Sequence, residues 1–155
     1  MYFVDRRFAL KGFGALVFAL VGPSAVCANP FADQPLHPRA KILRQTSIVV
    51  PGTKAGSPPG LTGADVDAQA RGIFGIDWII AGRDTITLML LSGSQKNQLM
   101  STRQIRGDPL MRFEIEGPET AGHSANVLPG RYFVAFLNSS STDVRLLYRA
   151  SLVPT

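Results

Sequence analysis

From Ile73 onward the apolar residues of this chain recur at every second position, and short turn-forming segments interrupt them repeatedly. A period of two puts successive side chains on opposite faces of an extended strand, whereas a helix needs a period near 3.6. Ile76, Trp78 and Ile80 share one face of the first run. Gly82-Arg83-Asp84 then turns the chain into Thr85–Leu91, β-branched at its start and apolar throughout, which Ser92-Gly93-Ser94 breaks. Within Leu110–Glu116, Met111, Phe113 and Ile115 alternate with Arg112, Glu114 and Glu116, and Gly117-Pro118 closes the run. Pro129-Gly130 leads into Arg131–Leu137, apolar enough for a strand buried on both faces. After the polar turn Asn138–Thr142, Val144, Leu146, Tyr148, Ala150 and Leu152 alternate with Asp143, Arg145, Arg149 and Ser151, Leu147 being the exception. Short alternating strands separated by Gly, Pro, Ser and Asn turns predict an all-β fold, a small antiparallel β-sandwich.

Upstream the pattern is weaker. Asn29–Arg39 carries Pro30, Pro35 and Pro38 and reads as an extended lead-in; Ile42–Val50 ends in a β-like run. Pro51–Gly63, with four glycines and three prolines, reads as a loop, and Ala64–Arg71 as a short helical turn with Asp65 near its start. These readings divide the chain into residues 1–28, a signal segment; 29–63, an extended or looped lead-in; and 64–155, the β-sandwich. No repeat of 20–50 residues is visible.

The N-terminal segment has a different logic. Arg6-Arg7-Phe8-Ala9-Leu10-Lys11 precedes an apolar stretch from Gly12 to Val21, then Gly22-Pro23, then Val26-Cys27-Ala28 before Asn29. A basic start, a short apolar middle and small residues at the end form a cleavable export signal. Its Arg6, Arg7, Leu10 and Lys11 resemble the bacterial twin-arginine (Tat) translocation signal, from which it departs at Asp5 and Ala9. The resemblance implies transient engagement of the Tat export machinery, a signal helix cleaved between Ala28 and Asn29, and a periplasmic or secreted product. Gly12–Val21 supplies ten residues where a bilayer needs about 20, so no stable membrane span is expected after cleavage. Lipidation of Cys27 is the competing outcome, disfavoured by Val26 and Ser24 in place of the usual small residue and Leu.

Cleavage would remove the sole cysteine, and with it thiolate metal sites, cysteine nucleophiles and Fe–S chemistry. It would also leave 127 residues with thirteen basic and ten acidic side chains, lowering the formal charge from +5 to +3. These charges alternate in sign along the chain, so no nucleic-acid partner is expected.

Asp77-Trp78, Ala81-Gly82 before Thr85–Leu91, Pro129-Gly130-Arg131-Tyr132-Phe133-Val134 and the closing Val144–Tyr148 run together resemble bacterial pre-peptidase C-terminal domains. Those are jelly-roll sandwiches, and the resemblance covers about half the chain, from Asp77 to Leu152. It implies a jelly-roll-like sandwich with a non-catalytic accessory or binding role toward an extracellular or periplasmic protein or a glycan. The acidic pair usual near the Trp is single, since position 75 is Gly.

No residue set satisfies a catalytic pattern. His123-Ser124 reads as a loop lacking the Gly-x-Ser-x-Gly context, and the other histidine is His37. Glu114 and Glu116 lie on one strand face, where glycosidase carboxylates would instead flank a cleft. Asp65-Val66-Asp67 begins like a calcium loop, but Ala70 and Ile76 stand where an EF-hand needs Gly and Glu. A looser Ca²⁺ site from Asp65, Asp67 and Asp77 stays open, though no cofactor is predicted. Trp78, Met89 and Met111 are expected in the core. The expected function is an exported, non-catalytic β-sandwich binding or accessory module. The alternatives are a cofactor-bearing or accessory subunit of an exported enzyme and, least favoured, a small hydrolase using His123.

Overall fold

A computed structural model describes residues 29–80, 82–117 and 119–155. The expected signal residues Arg6, Arg7, Leu10, Lys11, Cys27 and Ala28 lie outside them. Two compact units divide the chain, Met1–Pro35 and Leu36–Thr155. The described part of the first is a turn starting at Asn29, whose side-chain oxygen accepts from the Phe31 N–H at 3.0 Å.

The second unit holds β1 (Lys41–Val50), β2 (Gly60–Ala68), β3 (Gly72–Ile80), β4 (Thr85–Ser92), α1 (Gly93–Thr102), β5 (Met111–Glu116), β6 (Glu119–Val127), β7 (Gly130–Asn138) and β8 (Val144–Pro154). The strands form two antiparallel four-stranded sheets, ordered β1-β8-β3-β6 and β2-β7-β4-β5. The pairings nest: β1 with β8, β2 with β7, β3 with β6, β4 with β5. The chain is thus one long folded ribbon wound over itself, with α1 at its tip between β4 and β5. That winding is the jelly roll.

The core follows from the alternation. Phe74, Ile76, Trp78 and Ile80 of β3 and Val144, Leu146, Tyr148, Ala150 and Leu152 of β8 meet Ile86, Leu88, Leu90, Met111, Ile115, Val134 and Phe136 from the other sheet. The central strands of the second sheet are also covered on their outer side. Met89, Leu91, Phe133 and Ala135 form a second cluster with Leu99 of α1. This is why β4 and β7 read as continuous apolar runs rather than alternating ones.

Three segments differ from expectation. The sandwich begins at Lys41, not at residue 64: β1 lies within the expected lead-in and pairs with β8 from Lys41↔Leu152 to Val50↔Val144. Gly60–Ala68, expected as loop and helical turn, is β2; its Ala64, Val66 and Ala68 alternate with Asp65 and Asp67, and β7 supplies the partner that fixes it extended. His123 lies in β6 rather than in a loop, because residues too small to signal a strand still pair along all of β3, from Gly72↔Val127 to Ile80↔Glu119.

The end of the sandwich carrying the β1–β2 and β7–β8 connections is tied by Asn138, which is fully buried. Its amide donates to the Val50 carbonyl at 3.2 Å and the Thr142 carbonyl at 2.7 Å, and its oxygen accepts from the Ser140 N–H at 2.8 Å and hydroxyl at 2.7 Å.

Candidate functional site

Ser92-Gly93-Ser94, expected as a break after the Thr85–Leu91 run, instead opens α1, with Ser92 as its N-cap. Ser92 and Gln95 form a reciprocal capping box: Ser92 Oγ accepts from the Gln95 N–H, and Gln95 Oε1 accepts from the Ser92 N–H at 3.1 Å. The helix ends at Arg103, left-handed at φ 58°, whose N–H donates to the Leu99 carbonyl at 3.0 Å. Leu99 is its one buried residue and sits in the outer cluster on β4 and β7. With that anchor in place, Lys96, one turn earlier, faces β2 and β7.

A cleft of about 450 Å³ opens at this corner, lined by Asp65, Val66 and Asp67 of β2, Gly93, Lys96 and Asn97 of α1, and Arg131 of β7. Lys96 Nζ donates to both carboxylate oxygens of Asp65 at 2.7 Å and lies 4.9 Å from the Phe133 ring centroid. Asp67 stands directly opposite Arg131 across the β2–β7 ladder. The cleft therefore brings together two carboxylates, two cations and one amide from three elements. A smaller hollow of about 310 Å³ lies along Gln98, Thr102, Gln104, Ile105 and Arg106. It is lined only by α1 and its own trailing loop, with one formal charge.

The three aspartates considered for Ca²⁺ do not converge. Asp65 and Asp67 face outward from one sheet, and Lys96 occupies the position a cation would take at Asp65. Asp77 is on the outer face of the other sheet, where it accepts from Arg149 Nε at 2.9 Å and Nη2 at 2.7 Å. Arg149 is only 3% exposed at its side chain, so this pair is held largely out of water. Among the described residues no group of three His, Cys, Asp or Glu side chains is placed to hold a metal.

Glu114 and Glu116 are exposed on β5, with Phe113 and Ile115 turned inward between and beside them. The His123 ring lies flat on Phe113, centroids 3.6 Å apart and planes 7° from parallel, with Trp78 at 5.5 Å. Trp78 itself is a core residue, 2% exposed, as are Met89 and Met111 at 4%. Two buried polar atoms of the core, Trp78 Nε1 and Tyr148 Oη, have no hydrogen-bond partner of good geometry. Burial raises the Tyr148 hydroxyl above its ordinary pKa, and the nearby Arg44 charge offsets part of that shift.

Sequence reasoning singled out Asp65 and Asp67 but missed Lys96, Asn97 and Arg131. The signal available for the helix was the Ser92-x-x-Gln95 capping pattern. Nothing in the sequence announced that α1 folds back over β4 and β7 and brings Lys96 to Asp65 of β2.

No protein-family model matches the chain, and no curated protein does. Some solved structures are similar to it at low identity. A carbohydrate binding module from Cellvibrio mixtus lichenase 5A, in complex with cellotriose, is 13% identical with a TM-score of 0.37; the match covers 74% of this chain and 90% of that one. The Tobacco streak virus coat protein is 10% identical with a TM-score of 0.35, over 79% of this chain and 92% of that one.

Proposed function

We propose that this chain is an exported, non-catalytic jelly-roll module that binds a neutral, polyhydroxylated ligand, a glycan, in the cleft between α1 and β2. The observation that carries this reading is the charge balance of the cleft. Asp65 and Asp67 accept, Lys96 and Arg131 donate, and Asn97 does both. A cation would have to displace Lys96 from Asp65, and a phosphate would face both carboxylates. Hydroxyl groups, each a donor and an acceptor, can pair with all five side chains without leaving a charge unmatched. The cleft volume of about 450 Å³ is within the range of small-molecule sites.

The test is a glycan array followed by calorimetry on the hits, with Ca²⁺ and inorganic phosphate titrated in parallel. A neutral oligosaccharide should bind, and Asp67→Asn should weaken it about tenfold, the loss of one charge-assisted hydrogen bond. Binding of Ca²⁺ or phosphate with no neutral glycan would overturn the reading. Export by the twin-arginine route is part of the same proposal. Residues 1–28 fused to a reporter should carry it across the membrane, and Arg6→Lys with Arg7→Lys together should stop it.

A further inference from the structure

We infer that Asp67 and Arg131 set which sugar the cleft accepts, by reading two hydroxyls on adjacent ring carbons, one at each side chain. The inference rests on the glycan reading of the same cleft. The polar side chains there are not equivalent. Asp65 and Lys96 are already committed to each other: Lys96 Nζ donates to both Asp65 oxygens at 2.7 Å and lies 4.9 Å from the Phe133 ring centroid.

Asp67 and Arg131 form the other half. They stand opposite each other across the β2–β7 ladder, which puts their Cβ atoms about 5 Å apart on one face. Both are exposed, and among the described residues neither takes part in a hydrogen bond or ion pair. The Asn97 amide is likewise unengaged; only its main-chain carbonyl accepts, from the Ser101 hydroxyl at 2.8 Å. An exposed ion pair is worth little against water, so each of these groups can turn to a ligand without breaking a bond.

The ligand feature follows from the donor and acceptor inventory. Asp67 only accepts and Arg131 only donates. A cation held by Asp67 would face Arg131, and an anion held by Arg131 would face Asp67. Two hydroxyls on neighbouring ring carbons satisfy both, one donating to the carboxylate and the other accepting from the guanidinium, and both bonds are charge-assisted. Each hydroxyl keeps a second hydrogen-bonding site for Asn97 or for water. Gly93 borders this half from the helix side, and a Cβ placed on it would meet nothing within 4 Å. The sugar ring therefore has room above the ladder.

The test is calorimetric titration of the whole protein with the methyl glycosides of the common neutral hexoses, then with every monodeoxy form of the best binder. Glycine, a zwitterion able to span the same two charges, is titrated alongside. Loss of either of two adjacent hydroxyls should weaken binding about tenfold, and loss of the others far less. One of those penalties should vanish in Asp67→Ala and the other in Arg131→Ala, each variant keeping the penalty that belongs to its partner. Circular dichroism checks that both fold; if alanine does not hold the strand, Asp67→Val and Arg131→Val, with a β-branched side chain, ask the same question. Penalties spread evenly over all hydroxyls, or unchanged in both variants, would overturn the inference and leave the glycan reading standing. Binding of glycine in place of every glycoside, or of no probe at all, would overturn both.

Discussion

Replacing Leu99 by alanine should detach α1 while leaving the sandwich folded. Leu99 is 2% exposed and is the only buried residue of a ten-residue helix. The substitution removes three carbons, about 2.4 kcal/mol at 0.8 kcal/mol each. The void left against Met89, Leu91 and Phe133 adds to that, for a total near 3 kcal/mol. A helix shorter than about 12 residues is marginal in water on its own, and α1 has no acidic side chain in its first turn or basic one in its last to complement its dipole. What holds it is Leu99, the Ser92–Gln95 box and the exposed Lys96–Asp65 pair, so the loss falls mainly on local opening. Hydrogen exchange is the assay: amides in the last turn of α1 should exchange about a hundredfold faster, that being the rate equivalent of about 3 kcal/mol. Amides of β3 and β8 should change far less, and glycan binding in the cleft should be lost with the helix. Unchanged protection in α1 alongside a global fall in stability would refute this account, because the helix would then be an integral part of the cooperative core.

Asn138→Ala removes four hydrogen bonds and strands the buried Val50 carbonyl; urea denaturation should show about 2–4 kcal/mol lost with little change in slope. Tyr148→Phe should be close to neutral at pH 7, since the hydroxyl has no partner of good geometry. The parent's stability should fall as pH rises past 10.0, the ordinary tyrosine value: the unfolded chain releases the Tyr148 proton there while the folded chain retains it, and that fall should shrink in Tyr148→Phe melts. Lys96→Met should shift the melting free energy by less than about 1 kcal/mol, as its pair with Asp65 is largely exposed, yet weaken glycan binding in the calorimeter.

Strands that bury large side chains were readable from residue order alone. Met111, Phe113 and Ile115 mark β5; Arg131–Leu137 marks β7 as covered on both faces, which the outer cluster under α1 explains. β2 and β6 were not readable, because apart from Val66 and Val127 their inward residues are small or polar, Thr62, Ala64, Ala68, Ala121, His123 and Ala125, which signal too little against nearby Gly, Asp and Ser. Each is an edge strand, and its conformation is imposed by the neighbour's ladder. The cleft was half visible: Asp65 and Asp67 stood out as a pair, but the cations that neutralise them come from positions 31 and 64 residues further along. Only the wound ribbon brings those positions together.

The nesting of β1 against β8 also sets the order in which the molecule can be finished. β8 lies between β1 and β3, so the first sheet stays two disconnected pieces until Val144–Pro154 has been synthesised. Until then β1 lacks β8, its ladder partner among the described residues, and β3 lacks one of its neighbours, so both are ready to pair with a stranger. Such long-range closure is slow, because loops of about 100 residues must be shut before any contact rewards them. Folding therefore completes only after translation has passed β8, and a nascent chain stalled before it is at its most sticky. A transport route that accepts folded cargo would suit a chain built this way, and an early stop within β8 should yield aggregate rather than a shorter working module.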